Sequence, residues 1–327
     1  MNKVLTLLGA VNDALHCAME ADDSVIVYGE DVGLEGGVFR ATENLQKRFG
    51  VMRCFDSPLA ESAIAGTAVG MAAAGLKPVI EMQFSGFAWP AFNQIVSHIA
   101  RYRNRTRSEF PMGIVIRMPY GGGIRALEHH SESMEAIWAH VPGLKVVIPS
   151  TPYDAKGLLL GAIADPDPVI FMEPKRVYRN IKQEVPERYY TLPIGKARIL
   201  RPGRDLTLVS WGAQMKECRE AGDTLSREGM DVEIIDLRSI YPFDKETIVD
   251  SVRKTGRFLV VHEAHRSFGV GAELVATAVK DAFYSLELPP QRLTAPDITV
   301  PLQRAEKLYM ISADRIAERV RSMLREE

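Results

Sequence analysis

Cysteine is scarce in this chain: Cys17, Cys54 and Cys218 are the only three in 327 residues, too scattered for a disulfide framework, and no CxxC pair offers a zinc knuckle or a redox couple. That usage points to a reducing, cytoplasmic setting. No run of 18 apolar residues occurs, so the sequence predicts no membrane-spanning helix. Charge of one sign is not in excess either. Forty Lys plus Arg against 42 Asp plus Glu leave a net charge of −2, which disfavours nucleic acid or an anionic membrane as a partner. Also missing are a GxxxxGK[ST] loop and a GxGxxG set between a strand and a helix; Gly33, Gly36 and Gly37 lack that spacing. The chain shows no phosphate cradle of its own.

The apolar start from Val4 to Val11 follows a single lysine and runs straight into Asn12 and Asp13. It reads as a helix, with Leu8, Val11, Leu15 and Ala18 at helical spacing, and no signal or transit peptide is expected.

From residue 24 onward, short β-branched runs alternate with helical patterns, which predicts an α/β protein with parallel sheets. The predicted strands are Ser24–Tyr28, Met52–Phe55, Pro78–Met82, Gly113–Arg117, Leu144–Ile148 and Val169–Phe171, with a helix over Leu59–Ala74. Residues 1–185 form the first expected domain. A proline-punctuated stretch, 186–204, reads as a connector. Over 205–327 the alternation resumes, with strands expected at Leu206–Ser210, Asp231–Asp236 and Phe258–His262 and an Arg-rich terminal helix that turns Ile316, Val320 and Leu324 inward.

Three segments carry chemistry. In Ser57-Pro58-Leu59-Ala60-Glu61-Ser62-Ala63-Ile64, a single carboxylate opens an otherwise apolar helix. Glu61 there either complements the helix dipole or, in apolar surroundings, shares a proton with a ligand nitrogen. The segment Glu81-Met82-Gln83-Phe84-Ser85-Gly86-Phe87 leaves the end of a predicted strand, where open parallel sheets bind ligands and where aromatics either stack on a flat heterocycle or simply pack a core. In Gly121-Gly122-Gly123-Ile124-Arg125-Ala126-Leu127-Glu128-His129-His130-Ser131, a glycine triplet precedes a histidine pair. The pair suits acid/base catalysis or a loop better than a metal, since no third His or Cys lies at ligand spacing.

Together these stretches resemble the β subunit of the E1 component of the thiamin-diphosphate-dependent 2-oxo acid dehydrogenase complexes. The agreement extends to Tyr28-Gly29-Glu30-Asp31-Val32, Gly143-Leu144-Lys145-Val146-Val147-Ile148-Pro149, Asp154-Ala155-Lys156-Gly157-Leu158 and His262-Glu263-Ala264. The resemblance implies a transketolase-like pyrimidine-binding domain followed by a transketolase C-terminal-like domain. It implies that Glu61 bonds N1′ of the cofactor's aminopyrimidine and so promotes formation of the C2 carbanion that attacks the 2-oxo acid. Leu59, Gln83 and Phe87 match positions lining the pyrimidine, and Glu30 could join an acidic proton relay. His130, rather than His129, matches the histidine of lipoyl reductive acylation. Ile114, Ala162, Asp165 and Asp167 match a potassium-binding loop.

The family's diphosphate and Mg2+ motif belongs to the α subunit and is missing here, so the resemblance implies an α2β2 heterotetramer that delivers acyl groups to a lipoyl-bearing E2 acyltransferase. Pro90-Ala91-Phe92-Asn93, Phe171-Met172-Glu173-Pro174-Lys175 and Leu208-Val209-Ser210-Trp211-Gly212 look closest to branched-chain members, with pyruvate or acetoin as the alternative substrate. A non-catalytic nucleotide- or flavin-binding module is the alternative of a different class.

Overall fold

The computed structural model describes residues 1–325. Its larger sheet has seven strands in the order Ser239–Tyr241, Lys145–Val147, Val169–Pro174, Val115–Tyr120, Lys77–Glu81, Val25–Gly29, Cys54–Asp56. Every pairing is parallel except that of Ser239–Tyr241 with Lys145–Val147.

Alternation along each strand explains the layers. Val25, Val27, Val79, Val115 and Val169 face the helices Leu7–Ala21 and Pro152–Ala164. The intervening Ile26, Tyr28, Ile80, Ile116 and Ile170 face the helix Glu61–Ala73 and the segment around Ile95 and Ile99. Both faces are covered, so nearly every position in these strands is apolar.

The smaller sheet runs Gln291–Ala295, Phe258–His265, Leu206–Ser210, Val232–Asp236, Arg198–Arg201, with only the last strand antiparallel. Leu206, Leu208, Ile234 and Leu259 on one face pack on Ile316, Val320 and Met323 of the terminal helix Ala313–Arg325. Val209, Ile235 and Val260 on the other face join the core that begins at Ile26, so the two sheets share one apolar interior. Among the described residues no helix is long and apolar enough to cross a membrane.

Three readings of the sequence need correction. The helix expected from Val4 begins at Leu7, where Thr6 caps it by accepting the Gly9 N–H at 3.0 Å. Residues Asn2–Thr6 are instead a strand, because Lys182–Pro186 supplies an antiparallel partner. Within 186–204, read as connector, Arg198–Arg201 pairs with the smaller sheet. The strand expected at Gly113–Arg117 lies at Val115–Tyr120, its extra residues paired to Met172, Glu173 and Pro174.

Candidate active site

Most of the residues singled out for the cofactor and acid/base chemistry leave the carboxyl ends of the larger sheet, where open parallel sheets place ligand crevices. Glu30 follows Val25–Gly29, Gln83 and Phe87 follow Lys77–Glu81, and the histidine loop follows Val115–Tyr120. Leu59 and Glu61 follow Cys54–Asp56, and Glu61 is the first residue of its helix. Gly29 lets the neighbouring strand approach closely: a Cβ there would sit 2.7 Å from the Glu81 carbonyl oxygen.

Glu30 is buried, and its Oε1 has no hydrogen-bond partner. Burial first, then the charges of Glu61 and Asp31, raise its carboxyl above the ordinary range. Desolvated and facing like charges, the Glu30 carboxyl favours keeping its proton. Gln83 donates from Nε2 to Asp31 Oδ2 at 3.0 Å, which fixes the outer wall. Leu59 is 82% exposed, an apolar side chain facing outward beside the carboxylates. An orphaned buried carboxyl oxygen on Glu30 and an uncovered leucine two residues before Glu61 fit one wall of an aminopyrimidine site.

Phe87 joins the histidines. Its ring stacks on His129 at 5.7 Å and 25° and stands edge-on to His130 at 5.1 Å, while Phe84 meets His130 edge-on at 4.5 Å. His130 Nδ1 has no hydrogen-bond partner. Burial, then the neighbouring His129 and Lys175, hold the His130 imidazole below its ordinary value. His129 is half-buried, as His130 is, and its Nδ1 lies 3.7 Å from Glu128.

Ile114, Ala162, Asp165 and Asp167 lie together, but at the amino ends of Val115–Tyr120 and Val169–Pro174, the opposite edge of the sheet. Lys145 Nζ holds both oxygens of Asp165 at 2.7 Å and Asp167 at 3.2 Å, and Arg103 also pairs with Asp167. The Ile114 carbonyl accepts the Val169 N–H at 2.9 Å and the Ala162 carbonyl accepts Asp165 N–H at 3.3 Å. The carboxylates are neutralised by side chains, which leaves only second lone pairs of carbonyl oxygens for a cation. Among the described residues no group of three or more His, Cys, Asp or Glu is arranged to hold a metal.

Sequence reasoning missed the scaffold beneath the site. Arg117 donates from Nε to Glu173 Oε1 and from Nη1 to Glu81 Oε2, each at 2.7 Å, with all three side chains at most 4% exposed. Tyr178 also donates to Glu173. This buried network spans three adjacent strands just below Gln83. Lys175, 4% exposed and with its ammonium pushed down to about 8 by burial, lies over the Phe84 ring at 5.9 Å and donates to the Gly121 carbonyl. Only an Arg at the end of an apolar strand hinted at the first; nothing in the pattern marked the second.

Residues 3–180 match a family model described as "Transketolase, pyrimidine binding domain", and residues 195–316 match "Transketolase, C-terminal domain". The chain is 55% identical to the pyruvate dehydrogenase E1 component subunit beta of Acholeplasma laidlawii, covering 98% of each chain. It is 50% identical to the subunit of the same name in Mycoplasma genitalium, over 97% of each chain, and 46% identical to that in Bacillus subtilis, over 98% of each. A solved split-gene transketolase, titled an inactive beta4 tetramer, superposes with a TM-score of 0.77 over 98% of this chain and 99% of that one, at 20% identity, and speaks for the fold alone. These relatives carry pyruvate in their names where the sequence reading had leaned to branched-chain substrates. With a transketolase-like fold in both halves and full-length similarity at this level, the chain belongs to the β subunits of the E1 component of the thiamin-diphosphate-dependent 2-oxo acid dehydrogenases.

Proposed function

We propose that this chain is the β subunit of a pyruvate dehydrogenase E1 and that it works in an α2β2 heterotetramer to pass acetyl groups to the lipoyl domain of an E2 acyltransferase. The observation that carries the substrate assignment is the 55% identity to a pyruvate dehydrogenase subunit over 98% of both chains. The branched-chain and acetoin readings rank behind it.

In this proposal the α subunit supplies the diphosphate and Mg2+ side, and the β chain supplies Glu61, Leu59, Gln83, Phe87 and the supporting Glu30. Thiamin diphosphate, when bound, supplies a carbon nucleophile for the 2-oxo carbon. Glu61 exchanges a proton with the pyrimidine N1′, and the raised Glu30 carboxyl beside it keeps a proton available in a space with little water. Leu59 and Phe87 exclude solvent from the ring. His130 delivers a proton to the departing lipoyl sulfur. The loop of Ile114, Ala162, Asp165 and Asp167 stays in the proposal as a K+ site of carbonyl oxygens only, and thermal stability of the assembled enzyme in K+ against Na+ tests it.

The main test mixes the purified chain with its α subunit and measures decarboxylation of pyruvate and of branched-chain 2-oxo acids, and oxidative C–C cleavage of acetoin, which has no carboxyl group to lose. Pyruvate should be preferred, and the chain without α should show no turnover. Turnover by rigorously α-free protein defeats the shared-site reading; preference for a branched-chain acid defeats only the substrate assignment. Tight binding of a nucleotide or flavin by the chain alone would revive the non-catalytic alternative.

A further inference from the structure

The loop that bears His130 leaves its strand at Gly121, whose φ of +84° suits glycine and whose missing Cβ makes room for the Glu263 carboxylate. Its base closes on itself, with Gly121 N–H donating to the Glu132 carbonyl at 3.0 Å. Between those points Ile124, Arg125, Leu127 and Glu128 are exposed, and the glycine triplet gives the backbone little reason to hold one shape.

What fixes it comes from far along the chain. Glu306 accepts the Gly123 N–H at Oε1, 2.7 Å, and the Arg125 N–H at Oε2, 3.0 Å. The Glu306 side chain is 4% exposed. Arg125 has a φ of +57°, a left-handed conformation that a non-glycine residue adopts only when its surroundings hold it there. The Glu306 carboxylate bridges Ile124, holding the amides of Gly123 and Arg125 with two charge-assisted bonds and so fixing the backbone that enters Arg125. Gly122 lies against Met310 and Val300 of the same C-terminal region, so its backbone is packed where the carboxylate grips. At the far end of the loop Ser133 donates to Glu263 Oε1 at 3.2 Å.

We propose that Glu306 is a positioning residue for the His130 loop, through which the C-terminal half of the chain sets the reach of the histidine for the second half-reaction. The proposal rests on the reading of His130 given above. It follows that loss of the clamp should lower lipoyl acylation far more than decarboxylation, because Glu61, Glu30 and Gln83 leave other strands and, of the cofactor-side residues named, Phe87 touches the loop's histidines.

The test uses Glu306→Gln in the assembled α2β2 enzyme. Gln keeps the shape but turns an amide N–H2 toward a backbone N–H, so amide exchange across residues 121–133 should quicken by about tenfold or more. The kcat for acylation of a lipoyl domain should fall about tenfold with little change in its KM, since fewer loop conformers are competent. Decarboxylation with an artificial electron acceptor should stay within about twofold. Glu306→Asp, which keeps the charge but is shorter, should lie between wild type and Glu306→Gln in both readouts. Unchanged exchange over 121–133 in Glu306→Gln overturns the clamp, and so does equal loss of both half-reactions. His130→Ala with full acylation would instead overturn the role of His130, and the exchange result would still decide the clamp.

Discussion

His130 meets Phe84 edge-on with 4.5 Å between ring centroids, and this contact holds an imidazole with a free Nδ1 at the mouth of the loop. If His130 donates the proton for lipoyl reduction, His130→Ala should abolish acylation of a lipoyl domain and spare decarboxylation measured with an artificial acceptor. His129→Ala should leave both close to normal. Selective loss in His129→Ala, with His130→Ala normal, would give the role to His129 instead. Because burial and nearby charges hold His130 below its ordinary value, its acid form is scarce at neutral pH, and acylation should speed up as pH falls toward that value.

Glu61 begins its helix beside a second carboxyl that burial has made reluctant to ionise. Glu61→Gln keeps the volume and removes the exchangeable proton, so C2 proton exchange and decarboxylation in the assembled enzyme should each drop by about 10²-fold or more. The circular dichroism spectrum should not change. Near-normal C2 exchange would leave Glu61 as no more than a helix-dipole partner.

The Arg117 guanidinium satisfies two buried carboxylates at once. Arg117→Met fills the volume but strips Glu81 of its cation and leaves Glu173 held only by the Tyr178 hydroxyl, and breaking a buried pair in this way costs about 3–5 kcal/mol. Chemical denaturation at pH 7 should show that loss. A change below about 1 kcal/mol would mean that the strands absorb the two acids by protonating them.

His262 is buried and stacked on Trp211 at 5.2 Å, and burial lowers it to about 4 from an ordinary 6.5. The unfolded chain takes up a proton that the folded chain refuses, so this contribution to stability is full above about pH 6.5, shrinks as pH falls, and is gone near pH 4. Carboxyls titrate over the same range, so the informative quantity is the stability difference between wild type and His262→Leu at each pH. That difference should move toward His262→Leu by up to about 3 kcal/mol between pH 7 and 4. A pH-independent difference rules out the neutral buried imidazole.

The parallel strands and their helices were legible because a strand covered on both faces must be apolar at nearly every position, and Val25 to Tyr28 or Val169 to Phe171 look like nothing else. Glu61 was legible because one acid stood in an apolar helix. Arg117 was not, because its partners lie 36 and 56 residues away and only the strand order brings them alongside. The strands Asn2–Thr6 and Ser239–Tyr241 escaped for the same reason: each is short, and its pairing depends on a segment far off in sequence. Glu306 sits in a stretch with no period at all. The lean to branched-chain substrates rested on local similarities such as Phe171 to Lys175, where Glu173 serves a buried network and Lys175 the loop base, whereas the full-length relatives carry pyruvate in their names.

Ser239–Tyr241 belongs by sequence to the second half yet forms the last strand of the larger sheet, against Lys145–Val147. Removing it would leave Lys145–Val147 with a row of bare amide and carbonyl groups, the kind of open edge that recruits other strands. A fragment ending near residue 185 should therefore self-associate when expressed by itself, and the two halves should melt as one cooperative unit. The short strand works as a molecular latch, so that a completed first sheet exists only once the later part of the chain has been made.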